Sequence, residues 1–116
     1  IIGCSKGRFC KQWIDWNFYS HQLVTHLVEE MPSVAGYNQV DGKAVPVPHF
    51  GIVLPWDEWE NLASRILDRE YPMYIEPYVR FEGKPGEQGT FFLFDPSNNA
   101  LEFKSFKNMS DLFVSK

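Results

Sequence analysis

His49, Glu102 and His26 are the residues whose types and surroundings point to chemistry. Glu102 stands in the alternating run Ala100-Leu101-Glu102-Phe103-Lys104, and a strand places it on the face opposite Leu101 and Phe103. If those two pack on a helix, Glu102 looks into the concave side of the sheet. A carboxylate there is costly unless it is paired or bound to a cation. His49 opens His49-Phe50-Gly51-Ile52-Val53-Leu54, in which the same parity sends Phe50, Ile52 and Leu54 to the helix and His49, Gly51 and Val53 to the concave face. In His21-Gln22-Leu23-Val24-Thr25-His26-Leu27, Leu23 and Leu27 share one face, which turns His26 inward with Val24. Two imidazoles and one carboxylate suit Fe(II), with Zn, Mn or Ni as competitors. They leave coordination positions open for a substrate and, on iron, for dioxygen. Spacing alone defines no Ser-His-Asp or reactive-cysteine arrangement.

The elements that must position these residues can be read around them. Ser5 to Arg8 reads as a short polar turn, followed by an aromatic strand from Trp13 to Tyr19, a tight turn at Ser20 and a strand from His21 to Leu27. Met31 to Pro48 carries three prolines, two glycines and an Asp41-Gly42 pair, so no regular structure is expected there until about His49. After the His49–Leu54 strand, Pro55 suits a first helical position, with Asp57 and Glu58 in the first turn. Trp56, Trp59, Leu62, Ala63, Ile66 and Leu67 then make one apolar stripe on a helix that runs to about Glu70. Tyr74 to Phe81 reads as a strand, with Pro77 placing it at an edge or a bulge. Gly89 to Phe94 is a strand apolar on both faces, Asp95-Pro96-Ser97-Asn98-Asn99 turns the chain, and Ala100 to Lys104 returns it.

The second half therefore has the order β-α-β-β-β, and the first half looks like the end of the same series. This weak internal repeat implies two modules, the first truncated at its N-terminus. On typical element lengths the absent strand and helix would amount to roughly 20 residues. The opening Ile1-Ile2-Gly3-Cys4, without methionine, reads the same way. Residues 1–30 read as the remainder of the first module, 31–48 as a linker, 49–105 as the second module and 106–116 as a C-terminal tail of one domain.

Composition narrows the function classes. With 116 residues, 44% of them hydrophobic, the chain can bury a core. Its net charge of −4, scattered rather than gathered, argues against nucleic acid as a partner. No apolar stretch reaches the roughly 20 residues of a membrane span and no secretion signal is visible. Two cysteines, Cys4 and Cys10, are too few for a disulfide scaffold, so a reduced, cytoplasmic setting is expected. An aromatic content of 16% would serve a thin core or a pocket equally well.

The strand opening at His49, the phrase from Phe92 to Lys104 with its Asp-Pro-x-x-Asn-x-Leu-Glu pattern, and Phe18-Tyr19-Ser20-His21-Gln22-Leu23-Val24 together resemble the vicinal oxygen chelate superfamily. That group includes glyoxalases, bleomycin-resistance proteins and extradiol dioxygenases. The resemblance implies an α+β fold in which two β-α-β-β-β modules form a curved, partly closed mixed sheet around a divalent metal. It matches His49 and Glu102 to ligand positions of the second module and puts His26, or else His21, on the strand that supplies a ligand in the first. The implied function is a metal-dependent enzyme, glyoxalase-like or dioxygenase-like, that chelates vicinal oxygens of a small-molecule substrate, extradiol ring cleavage among its activities. The alternative is a non-catalytic protein that sequesters an aromatic drug. A third reading is an interaction module with a vestigial site. An incomplete first module leaves a strand edge that invites pairing, so a homodimer is expected.

Overall fold

Asp95 turns the chain where the motif places it. Its carboxylate accepts the backbone N–H groups of Ser97 (2.9 Å) and Asn99 (2.8 Å) and the Asn99 side-chain amide (2.8 Å), while Asn98 takes the left-handed conformation at φ 66°. This Asx-type turn sets the register of the hairpin on either side, with Phe94 opposite Ala100 and Phe92 opposite Glu102.

The computed structural model describes residues 1–115, in two compact units, one over Ile1–Met31 and one beginning at Pro32. The first unit is an antiparallel meander of β1 (Ser5–Phe9), β2 (Trp13–Phe18) and β3 (His21–His26) in that spatial order. The expected turn at Ser5 to Arg8 is instead a strand. All its residues are exposed and show no hydrophobic alternation, so only its ladder to β2 defines it. Tyr19 and Ser20, both at positive φ (51° and 68°), make the two-residue turn between β2 and β3, and the Asn17 side chain accepts the Ser20 N–H at 2.7 Å.

In the second unit a hairpin of β4 (Gly36–Val40) and β5 (Lys43–Val47) precedes β6 (Phe50–Val53), helix α1 (Trp56–Asp68), β7 (Ile75–Arg80), β8 (Gln88–Phe94) and β9 (Ala100–Phe106). The last four strands form one sheet ordered β6-β9-β8-β7, with β6 parallel to β9 and the rest antiparallel. The class is mixed α+β, and this sheet has the expected β-α-β-β-β order. Residues 36–47 are not irregular as expected. Asp41 (φ 52°) and Gly42 (φ 74°) make a tight hairpin turn, and Pro46 is accommodated because the hairpin is a separate two-stranded ribbon.

Helix α1 covers one face of the sheet. Trp59, Leu62, Ala63 and Ile66 are buried, as the apolar spacing requires. Trp59 donates its indole N–H to the Phe103 carbonyl (2.9 Å) and lies against Phe91, which stacks on Phe103 at 5.3 Å between ring centres. Gly89 makes this approach possible, since a Cβ there would stand 2.6 Å from the Trp59 ring. Leu67, expected in the stripe, is 53% exposed at the edge of the helix, and Pro55 is the N-cap rather than the first helical residue. The β4–β5 hairpin covers the opposite face, where Val45 packs with Ile75 and Phe92, flanked by Val40 and Tyr78. Covering on both sides explains why β8 is buried along nearly its whole length, with Phe91, Phe92 and Leu93 apolar on alternate faces.

Candidate functional site

Leu101 and Phe103 are buried while Glu102 is only partly so, and Glu102 turns to the face of the sheet away from α1. His49 sits one residue ahead of β6 and reaches the same place through two restraints. Its Nδ1 lies 2.7 Å from the Pro46 carbonyl, and its ring packs edge-on against Phe92 at 5.1 Å. A carbonyl only accepts, so Nδ1 carries the proton, and in the neutral imidazole Nε2 is left with its lone pair. That lone pair looks at the Glu102 Oε1 atom from 3.4 Å. Two acceptors face each other there, an arrangement that asks for a proton or a cation between them.

The other Glu102 oxygen is held separately. Oε2 accepts the Thr90 hydroxyl at 2.6 Å and has the Lys104 ammonium 3.8 Å away. The cleft beside the pair, about 280 Å³, is lined by His49, Phe50, Gly51, Ile52, Val53, Glu102 and Lys104. Gly51 is paired with Glu102 in the ladder, and a Cβ on it would stand 1.7 Å from the Glu102 carbonyl oxygen. No other residue type fits there without parting the strands. Of the three side chains expected on the helix face of β6, Leu54 is buried and Ile52 half-buried, but Phe50 is 42% exposed, because α1 lies over β8 and β9 rather than over this edge.

The donor types suit a divalent ion. Ligand bonds of roughly 2.0–2.2 Å put neighbouring donors of a metal about 3 Å apart, so the 3.4 Å gap needs little closure. Among the described residues no cluster of three or more His, Cys, Asp or Glu is poised to hold a metal, so His49 and Glu102 come together as a pair. His26 and His21, exposed at the two ends of β3, belong to the first unit, where they stand opposite Trp13 and Phe18. Thr90 and Lys104 were not among the expected site residues. The signal for them is register: Thr90 pairs with Lys104, one same-face step from the Phe92–Glu102 pair.

A second polar cluster ties the hairpin tip to β7. Asp41 Oδ2 accepts the Tyr78 hydroxyl at 3.0 Å and lies 2.6 Å from Arg80 Nε, and Lys43 rests over the Tyr78 ring. Burial, reinforced by the Asp41 carboxylate, pushes the Tyr78 phenol up to about 12.

Comparison with solved structures decides the family. A glyoxalase/bleomycin resistance protein/dioxygenase from Alicyclobacillus acidocaldarius is 34% identical, covers 97% of this chain and 80% of its own, and superposes with a TM-score of 0.75. The chain belongs to the vicinal oxygen chelate superfamily. Two other members of that superfamily share the fold at lower identity. The fosfomycin resistance protein FosX from Listeria monocytogenes is 14% identical over 96% of this chain and 78% of its own, with a TM-score of 0.64. The lactoylglutathione lyase from Agrobacterium tumefaciens is 15% identical over 97% and 79%, with a TM-score of 0.58. No family model and no curated protein matches this superfamily member.

Proposed function

We propose that this vicinal oxygen chelate protein is a metal-dependent enzyme of the glyoxalase or dioxygenase type, acting on a small molecule with two adjacent oxygens. The observation that carries the reading is His49 Nε2 facing Glu102 Oε1 across 3.4 Å, with the opposite edge of the imidazole tied to a backbone carbonyl. His49 and Glu102 would hold the ion, and His26 is the third donor proposed. A bound divalent ion, Fe(II) first with Zn, Mn or Ni as competitors, supplies Lewis-acid polarisation and a template for vicinal oxygens. The protein's own contribution is orientation. Pro46 and Phe92 hold the imidazole, Thr90 holds the carboxylate, and Lys104 offers an ammonium to an anionic substrate oxygen beside them. A lyase activity of the glyoxalase kind would need a second carboxylate as base; the activity proposed is of the dioxygenase type, extradiol ring cleavage included.

The paired-module, partly closed arrangement around the ion, a homodimer and a cytoplasmic setting belong to the same proposal. No helix among the described residues is long and apolar enough to cross a membrane. Both cysteines are unbridged.

The test is anaerobic loading with Fe(II), followed by oxygen uptake and ring-opened product formation with a panel of catechols, alongside hemithioacetal turnover with Zn, Mn or Ni. Metal-dependent turnover of either class supports the enzyme. Tight binding of aromatic drugs such as bleomycin, equal with and without metal and with no turnover, would replace it with the sequestering alternative, which has no need of the His49–Glu102 pair.

A further inference from the structure

The two oxygens of Glu102 have different surroundings. Oε1 has the His49 imidazole before it, whereas Oε2 is engaged by Thr90, with the more distant Lys104 ammonium at 3.8 Å. Thr90 is 2% exposed, and its hydroxyl lies 2.6 Å from Oε2, the distance of a strong bond to an ionised acceptor. The sheet dictates this contact. Phe92 stands opposite Glu102 and Thr90 opposite Lys104, so Thr90 is the diagonal neighbour of Glu102 on the same face, within reach of a glutamate side chain. A β-branched residue in a central strand is stiff at χ1. The hydroxyl is therefore a fixed point, and the carboxylate it holds cannot swing freely about its last torsion.

We propose that Thr90 is the positioning residue that makes Glu102 a one-oxygen ligand: it occupies Oε2 and presents Oε1 alone to a divalent cation shared with His49. This rests on the metal-site reading and adds the mode of coordination. Without the hydroxyl, the carboxylate can rotate and engage a cation through both oxygens, a geometry that Ca²⁺ accepts readily and small ions with fewer ligands do not favour.

The experiment titrates the metal-free protein with Zn(II) alone and Ca(II) alone by calorimetry, in wild type, Thr90→Val and Thr90→Ser. Valine preserves shape and removes the hydroxyl; serine preserves the hydroxyl. Thr90→Val is expected to keep one Zn(II) per chain while weakening it about 10- to 100-fold, and to raise the Ca(II)-to-Zn(II) affinity ratio. Thr90→Ser is expected to stay within about threefold of wild type on the same grounds. Should valine not yield folded protein, Thr90→Ala serves as the second hydroxyl-free variant, with the same expected loss. Wild-type affinity and an unchanged ratio in the hydroxyl-free variant would overturn the role of Thr90 while leaving the metal site intact. An equal loss in the serine variant would also overturn it. Wild type that takes up no Zn(II) would overturn the metal-site reading itself and this proposal with it.

Discussion

Replacing Gly51 with alanine tests the link between strand pairing and the site. The new Cβ would lie 1.7 Å from the Glu102 carbonyl oxygen, 2.6 Å from its carbon and 3.0 Å from its nitrogen. All three obstacles are backbone, so no rotamer change relieves them, and β6 must move off β9. That ladder carries the Phe50–Leu101, Gly51–Glu102, Ile52–Phe103 and Val53–Lys104 pairs. Overpacking against a rigid neighbour costs about 1–3 kcal/mol, and each ladder hydrogen bond lost adds about 0.5–1.5 kcal/mol. The expected destabilisation is about 2–4 kcal/mol, a fall in Tm of roughly 6–20 °C for a domain of this size. The same shift draws His49 away from Glu102, so metal affinity should fall with stability. Thermal melts and Zn(II) titration of Gly51→Ala beside wild type provide the assay. A variant that melts within about 2 °C of wild type and binds metal equally would refute the reasoning.

Lys104→Met removes an ammonium 3.8 Å from Glu102. Relief of roughly 1 kcal/mol of repulsion on a bound cation should tighten Zn(II) about fivefold in calorimetry, and unchanged or weaker binding would count against the placement. Tyr78 keeps its phenol protonated in the fold, so the stability it contributes is present below its ordinary value of 10 and is lost as pH climbs to about 12. Asp41→Asn leaves the burial but removes the carboxylate, and the phenolate absorbance, read as a difference from Tyr78→Phe, should titrate earlier; an unmoved midpoint would deny the Asp41 contact its part. His26→Ala should weaken metal about 10-fold or more, without lowering the melting temperature of the metal-free protein, if His26 is the third donor. Unchanged affinity would remove it from the site.

Alternation around Glu102 and the helical spacing from Trp59 to Ile66 were legible in the sequence because each follows one local period, and in the structure one face of each is buried. The Asp95 turn was legible too, since its side-chain bonds stay within four residues. Strand β1 was not, because polar, fully exposed residues form a strand only through the partner that pairs with them. The β4–β5 hairpin was hidden by Pro46 and its neighbouring prolines, although the Asp41-Gly42 pair that turns it was visible. The Thr90 contact depends on the hairpin register, which the residue types do not state until the turn at Asp95 has been placed. Exposure of Leu67 and Phe50 depends on where the helix comes to rest across the sheet, a matter of packing against Gly89 and Phe103 rather than of period.

Metal stoichiometry is the most direct test. Wild-type protein, His49→Ala and Glu102→Ala are each equilibrated with Fe(II) under anaerobic conditions, and in parallel with Zn, Mn and Ni, freed of excess ion and measured by elemental analysis, with circular dichroism to confirm the fold. The His49–Glu102 site requires one ion per chain in wild type and a loss of stoichiometric metal in both folded variants, since each removes one of a few ligands. Metal content that is the same in all three proteins would contradict it.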